Sequence, residues 1–395
     1  MTERVKKILF ASYMGYVTQA IVNNFAPLLF LTFAAEFDVT LEKITALVTL
    51  NFGVQLAVDL IASKLTDKIG YKPMVVAAHI FAAAGLAGMG LLTLTPFPFE
   101  GLLISSVLYA VGGGLIEVMI SPIVEACPTD EKSSAMSLLH SFYCWGQVFV
   151  VLLSTLFFFL FGMESWRIMA FIWALLPLFN ALFFSRLDLY QLEPEGGVMK
   201  LRSLFKTWIF WLLALLMVCA GASEMAMSQW ASAYAQTGLG VSLEIGNLAG
   251  PCLFAVLMGS ARAFYAKSGG KINLMGFMIF SCVLCVIGYL LACFSPLPAL
   301  GFAGCALTGL SVGIMWPGVF SIAGEKCPAG GTGMFALLAL AGDLGCMSGP
   351  TAAGLISGAN GDDLKTGLAA AVVFPLILGA GTALLRVKSG KKALY

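Results

Sequence analysis

The chain consists mainly of long apolar segments, each about as long as an α-helix must be to cross a lipid bilayer. A bilayer core of about 30 Å requires about 20 helical residues. Only 11% of the residues are charged, whereas about 25% is usual in soluble domains, so this chain cannot build a water-facing surface. The pattern predicts an all-α polytopic membrane protein with twelve spans, over residues 8–34, 44–63, 73–95, 101–125, 134–161, 166–185, 207–235, 243–265, 272–294, 297–323, 332–358 and 366–385.

The positive charges fall almost entirely on one side of these segments. If the N-terminus is cytoplasmic, every one of the 22 Lys and Arg residues except Lys43, Arg167 and Lys365 lies on the inner side. We therefore expect an integral protein of the plasma (inner) membrane with both termini cytoplasmic. The same count leaves no Lys or Arg for the membrane interior.

A polar stretch divides the twelve segments into two sets of six. We predict an N-terminal six-helix bundle over residues 1–185, a cytoplasmic linker over 186–206 and a C-terminal six-helix bundle over 207–395. An internal repeat supports the division. The loops at 67–72 and 266–271 share three of six residues at an offset of 199, and those at 125–128 and 325–328 share three of four at an offset of 200. The two bundles are thus expected to be pseudosymmetric parallel repeats.

The loop after the second segment carries a family signature. It contains Ser63, Asp67, Lys68, Gly70 and Lys72, and it resembles the GxxxDRxGxKx motif of the major facilitator superfamily, with Ser63 replacing the first Gly and Lys68 the Arg. With the twelve segments and the repeat, the resemblance covers essentially the whole chain. It implies a transporter that binds its substrate near the midplane between the halves and alternates access by rocking them.

The charged residues of this loop suggest a conformational latch. Asp67 follows a helix end at the cytoplasmic surface, where an acid can pair with a cation or cap a neighbouring helix in only one arrangement of the halves. The predicted latch consists of Asp59, Asp67, Lys68, Gly70 and Lys72. The alternative is that the lysines of the loop serve membrane topology alone.

Three acids in the middle of apolar segments are candidates for proton coupling: Glu117, Glu224 and Asp343. Acids at membrane depth are costly and usually serve a function. With no interior Lys or Arg to pair with, a carboxyl group in a low-dielectric site favours its protonated form. The small residues around Glu117, including Gly113 and Gly114, let another helix or a ligand come close. The alternative for Glu117 is a protonated side chain hydrogen-bonded to an adjacent helix, and the alternative for Asp343 is that it holds the backbone of the eleventh helix in register.

Neutral polar and aromatic side chains at similar depth are the candidates for substrate binding. Amides hydrogen-bond hydroxyl groups, aromatic rings stack on sugar rings, and anions are disfavoured because the interior lacks a cation other than a protonated His140. For His140 itself the alternative is a satisfied core residue. The predicted set is Gln19, Asn23, Asn24, Asn51, Gln55, His140, Tyr143, Gln147, Gln229, Trp230 and Trp316.

Within the superfamily, the chain most resembles fucose-permease-like sugar porters. The resemblance rests on Glu117 in the fourth segment, on residues 138–146 of the fifth, and on Gly221, Glu224, Trp230 and Tyr234 of the seventh. The first segment departs from that pattern, because it carries Asn23 and Asn24 where an acid is usual. Asn24 matches Glu224 at the offset of 200. An acid among amide and hydroxyl oxygens can also bind sodium, so the coupling ion stays open.

The sequence thus predicts proton-coupled symport of a small neutral polar solute such as a sugar. Three alternatives remain: a proton-coupled exporter of lipophilic or cationic compounds, sodium-coupled sugar uptake, and a non-transporting receptor or scaffold. No nucleophile and base pair or metal set indicates an enzyme, and balanced charge disfavours nucleic-acid binding. The expected partners are the solute, a proton or sodium ion and the lipid bilayer, and we expect a monomer without cofactor or metal.

Overall fold

A computed structural model describes residues 2–128, 132–190, 204–268, 272–327 and 331–392, apart from the side chains of residues 63, 64, 67, 132–134, 137, 266–268, 331–332 and 388–392. Within these residues, twelve helices are long and apolar enough to cross a membrane. The predicted all-α polytopic fold is confirmed.

The first compact unit spans Met1–Pro194 and contains six spans. They are α1 (Glu3–Glu36), α2 (Leu41–Ile69), α3 (Tyr71–Leu92), α4 (Pro98–Glu125), α5 (Lys132–Phe161) and α6 (Met163–Ser185). A 3₁₀ turn at Ala26–Leu29, with Pro27 at its start, interrupts α1 directly after Asn23 and Asn24. The helix therefore changes direction beside two candidate site residues.

The second unit spans Glu195–Tyr395 and also contains six spans. Three of them are continuous helices: α7 (Trp208–Leu239), α9 (Leu274–Phe294) and α11 (Gly331–Ala359). The other three are interrupted. They are α8 (Leu243–Asn247, a π-helical turn at Leu248–Cys252, and Leu253–Ser268), α10 (Pro298–Val312 and Met315–Lys326) and α12 (Leu364–Ala370 and Val373–Lys392).

The helices of each unit have equivalent neighbours. In the first unit α1 packs on α5, α2 on α4 and α3 on α4; in the second unit α7 packs on α11, α8 on α10 and α9 on α10. The helices of each unit thus bury their apolar faces against equivalent neighbours. This agreement supports the internal repeat that the sequence predicts.

The connection between α2 and α3 differs from the prediction. The second segment was predicted to end at residue 63, but α2 continues to Ile69, because neither Gly nor Pro occurs between residue 63 and Gly70. Gly70 has a φ of 90°, which favours glycine, and its N–H donates to the carbonyl of Thr66. Asp59 lies near the C-terminal end of the apolar stretch Leu41–Ala62, as predicted, while the helix itself continues for more than two turns beyond it.

Candidate functional site

Five polar side chains from three helices of the first unit form one hydrogen-bonded group, here called the amide cluster. Its members are Gln19 and Asn23 of α1, Asn51 and Gln55 of α2, and Glu117 of α4. Gln19 Nε2 donates to Gln55 Oε1 at 2.9 Å and to Glu117 Oε2 at 3.1 Å. Gln55 Nε2 donates to Asn23 Oδ1 at 2.9 Å and Asn51 Oδ1 at 2.8 Å, and Asn51 Nδ2 donates to Asn23 Oδ1 at 3.2 Å.

The amide cluster lies inside the unit and carries one ionisable group. Its four amide side chains belong to residues that are at most 5% exposed, while Glu117 is partly buried. Within the part of the chain that the structure describes, no Lys or Arg pairs with Glu117. A carboxyl group held by neutral amides in such a place can take up and release a proton.

Two glycines of α4 make this arrangement possible. A Cβ atom on Gly113 would lie 2.9 Å from Gln19 Oε1 and 3.2 Å from Gln55 Oε1, and one on Gly114 would lie 3.0 Å from the Cα atom of Gln55. All three distances are shorter than ordinary van der Waals contacts. The small residues beside Glu117 thus allow α1 and α2 to approach α4 closely enough for their amides to meet the carboxyl group.

The other predicted residues on α1 and α5 have different surroundings. Asn24 donates to the carbonyl of Ala20 in its own helix and does not take part in the amide cluster. On α5, Gln147 is buried, Tyr143 is partly buried and His140 is exposed on the surface of the unit. The ring of Tyr16 lies edge-on to that of His140 at 5.4 Å, and its hydroxyl bonds to Ser121 Oγ at 3.0 Å, one turn beyond Glu117. Tyr16 shares a face of α1 with Gln19 and Asn23 but is not in the predicted binding set.

The second unit contains a buried ion pair that the sequence analysis missed. Arg262 of α8 donates from a terminal guanidinium nitrogen to Glu224 Oε2 of α7 at 3.1 Å, with side-chain exposures of 20% and 7%. The expectation that no Lys or Arg reaches the membrane interior was therefore wrong. Arg262 had been counted with an inner loop, but α8 continues to Ser268 and a long arginine side chain can extend far from its backbone.

This correction separates two acids that the sequence analysis treated alike. The lack of a cationic partner was the reason for assigning Glu224 to proton coupling, and that reason does not hold. The presence of Arg262 also removes one argument against anionic substrates, namely the lack of a cation in the membrane interior. The carboxylate of Glu224 nevertheless balances the charge of Arg262. The signal was present in the sequence, because Arg262 lies within the predicted span 243–265.

The remaining candidates of the second unit lie where α7, α10 and α11 pack together. Trp230 is fully buried, and its indole nitrogen donates to the carbonyl of Pro350 in α11 at 2.9 Å. The ring of Trp316 covers Gly342, next to Asp343, and both Trp316 and Asp343 are partly buried. Gln229 is buried on α7. The hydrogen bond of Trp230 favours a role in helix packing for that side chain.

The structure describes only some residues of the predicted latch. The side chain of Asp67 lies outside the described residues. Lys68 and Lys72 are exposed, Gly70 forms the turn between α2 and α3, and Asp59 is partly buried within α2. The latch stays a prediction.

Comparisons with known proteins agree with this architecture. A family model described as the Major Facilitator Superfamily matches residues 8–388. A search of curated proteins finds no match.

Two solved structures with similar folds are of a bacterial homologue of the human lysosomal transporter Spinster. The inward-facing and occupied form is 15% identical with a TM-score of 0.73, the inward-facing and unoccupied form is 14% identical with a TM-score of 0.76, and each alignment covers 97% of both chains. At such identities the likeness shows the fold alone. Because the family model spans nearly the whole chain, this protein belongs to the Major Facilitator Superfamily and is a transporter rather than an enzyme.

Proposed function

We propose that the protein is a secondary active transporter that imports a small neutral polar solute, such as a sugar, together with a proton. The observation that carries this proposal is the amide cluster. Four neutral amides offer both donors and acceptors for hydroxyl groups, and the one ionisable member, Glu117, accepts a hydrogen bond from the neutral amide of Gln19. A site of this composition suits one proton and an uncharged hydroxylated solute.

Glu117 is the proposed proton site. It takes up a proton when accessible from outside and releases it when the site opens to the more alkaline cytoplasm. Glu224 is a weaker candidate, because the guanidinium of Arg262 already neutralises it. Asp343, beside the ring of Trp316, is the second choice.

The transport cycle is proposed to be alternating access, with both termini cytoplasmic in a plasma membrane. The repeated packing of six helices in each unit supports this, because each unit has its own packed core and can move as a body. The proposed cytoplasmic latch remains Asp59, Asp67, Lys68, Gly70 and Lys72. The likeness to fucose-permease-like porters also remains part of this proposal.

A binding screen followed by a vesicle assay tests the proposed function. We expect neutral sugars or polyols, rather than amines or organic acids, to raise the melting temperature of the purified protein. The stabilising compound should then cause alkalinisation outside right-side-out vesicles, since each solute molecule enters with a proton.

Other outcomes point to the alternatives. Stabilisation by lipophilic cations, with acidification of the medium or no change, would indicate the exporter. Uptake that requires sodium and leaves the external pH unchanged would indicate sodium coupling. Either result contradicts proton symport of a neutral solute.

A further inference from the structure

The donor–acceptor direction of each hydrogen bond in the amide cluster follows from the charge on Glu117. A carboxylate can only accept, so Gln19 must turn its NH₂ group toward Glu117, and the second hydrogen of that group goes to Gln55 Oε1. Gln55 then has its NH₂ group facing Asn23 and Asn51, and it donates to both. The charge on Glu117 thus fixes the orientation of amides on two neighbouring helices, α1 and α2.

We propose that protonation of Glu117 reverses this direction, so that the amide cluster relays proton binding from α4 to Asn23 and Asn51. The inference rests on the proposed function, because it takes Glu117 as the proton site. In the reversed state the Glu117 O–H donates to the carbonyl of Gln19, which also accepts from Gln55. Asn23 and Asn51 then donate to Gln55 Oε1, and Asn23 donates to Asn51. The five bonds of the present state are replaced by five of opposite direction.

The present state leaves one acceptor of the amide cluster unsatisfied. Gln19 Oε1 is buried and has no hydrogen-bond partner within the described residues. A buried acceptor without a donor is unfavourable. The oxygen that finds no donor in the present direction would find two, from Glu117 and Gln55, after reversal. Gln55 is therefore a positioning residue, since it connects the proton site to Asn23 and Asn51 without touching Glu117 itself.

Reversal would change what the amide cluster offers to a solute. Asn23 now turns its carbonyl into the cluster and its NH₂ group away from it; after reversal these positions exchange. A solute group at that end would meet an acceptor in place of a donor. A hydroxyl can donate to the carbonyl, whereas a carboxylate cannot, so the protonated state selects a neutral hydroxylated solute. Such a difference in affinity between two states is what couples the binding of proton and solute.

Other titratable groups lie on the helices that pack against α4. They include Tyr13 and Tyr16 of α1, Asp59 of α2, His79 of α3, and His140 and Tyr143 of α5. His79 bonds to the carbonyl of Val75 and to Asn180, and Tyr16 bonds to Ser121. A transition that disappears in Glu117→Gln can be assigned to Glu117 rather than to these groups.

A pH titration followed by nuclear magnetic resonance tests the relay with the proton itself as the probe. The full-length protein, labelled with ¹⁵N at the side-chain amides of Gln and Asn, is titrated in lipid nanodiscs. We expect the signals of Gln19, Gln55, Asn51 and Asn23 to shift with one shared midpoint, and Glu117→Gln to abolish that transition. In Gln55→Met, Gln19 should still shift while Asn23 and Asn51 stay constant.

A matched variant on the same helix controls for disturbance of α2. Thr45 is buried and its hydroxyl donates to the carbonyl of Leu41 in its own helix, so Thr45→Val should leave all four shifts unchanged. If Gln19 shifts in the wild type and Asn51 does not, or if Asn51 still shifts in Gln55→Met, the relay is wrong while Glu117 remains the proton site. If Gln19 does not shift at all, both the relay and the proposed role of Glu117 are wrong.

Discussion

Two acids within apolar helices, Glu117 and Glu224, have hydrogen-bond partners of different charge. The hydrogen-bond partner of Glu117 is the neutral amide of Gln19, and Glu224 is paired with the guanidinium of Arg262. In the sequence the two acids have the same kind of surroundings, glycine and serine within an apolar helix. Their partners differ because α8 brings a cation to Glu224.

The ion pair of the second unit should stabilise that unit mainly by avoiding an unpaired charge. Glu224→Gln or Arg262→Gln alone should each lower the free energy of unfolding by about 3 kcal/mol, because the remaining partner is left buried without compensation. The double variant Glu224→Gln with Arg262→Gln should recover much of that loss. The measurement is unfolding in mixed micelles with increasing denaturing detergent.

An exposed ion pair provides the control. Lys6 and Glu3 are largely exposed, so Glu3→Gln should leave the free energy of unfolding nearly unchanged. Single variants as stable as the wild type, or a double variant less stable than either single one, would show that the pair does not act in this way.

Helix packing in both units depends on glycines at the points of closest approach. Gly113 accommodates the side chains of Gln19 and Gln55, whereas Gly345 of α11 lies against the backbone of Val218 in α7. A side-chain end can move aside at modest cost, but a helix backbone cannot. Glycine therefore leaves room for polar side chains in the first unit and allows close packing of two helix backbones in the second.

Alanine substitutions should separate these two uses. Gly345→Ala should destabilise the protein by more than Gly113→Ala, because its Cβ would overlap the carbonyl oxygen of Val218. Gly113→Ala should keep much of the stability but weaken solute binding, since it displaces Gln19 and Gln55. Thermal unfolding and ligand-induced stabilisation measure the two effects.

Gly324 in α10 is the matched control, because the nearest atom to a Cβ there is a ring carbon of Phe335 at 3.6 Å. Gly324→Ala should be neutral or stabilising, as expected for a helix interior. If Gly113→Ala binds solute as the wild type does, the amide cluster is not the solute site.

The helices could be predicted from the sequence, but the partners of their polar side chains could not. Apolar length alone located all twelve spans, because a membrane helix satisfies its own backbone within one segment. The polar spacing on α1 and α2 indicated shared faces for Gln19, Asn23, Asn51 and Gln55. That these faces meet Glu117, and that Arg262 meets Glu224, depends on which helices pack together, and this is decided by contacts between residues far apart in the chain.

At the scale of the whole molecule, the two units repeat a scaffold but not its site residues. At the offset of 200, Gln19, Asn23 and Gln55 correspond to Cys219, Ser223 and Ala255. Both units keep the same helix neighbours, because these contacts bury the apolar faces of the helices. Among the described residues, the amide cluster occurs in the first unit only. A transporter that moves one proton with each solute needs such a site only once.

Transport by the Glu117→Gln variant in proteoliposomes tests the central claim most directly. Glutamine keeps the shape of a protonated glutamic acid and hydrogen-bonds like one, but it cannot release a proton. With the solute identified by the binding screen, the variant should exchange labelled for unlabelled solute as the wild type does. It should fail to accumulate solute when the lumen is made more alkaline than the medium.

Glu100→Gln is the matched control, because Glu100 is an exposed acid near the start of the same helix. It should accumulate solute normally under the same pH gradient. If Glu117→Gln also accumulates solute against its concentration gradient with the pH dependence of the wild type, Glu117 is not the coupling site and the account is wrong.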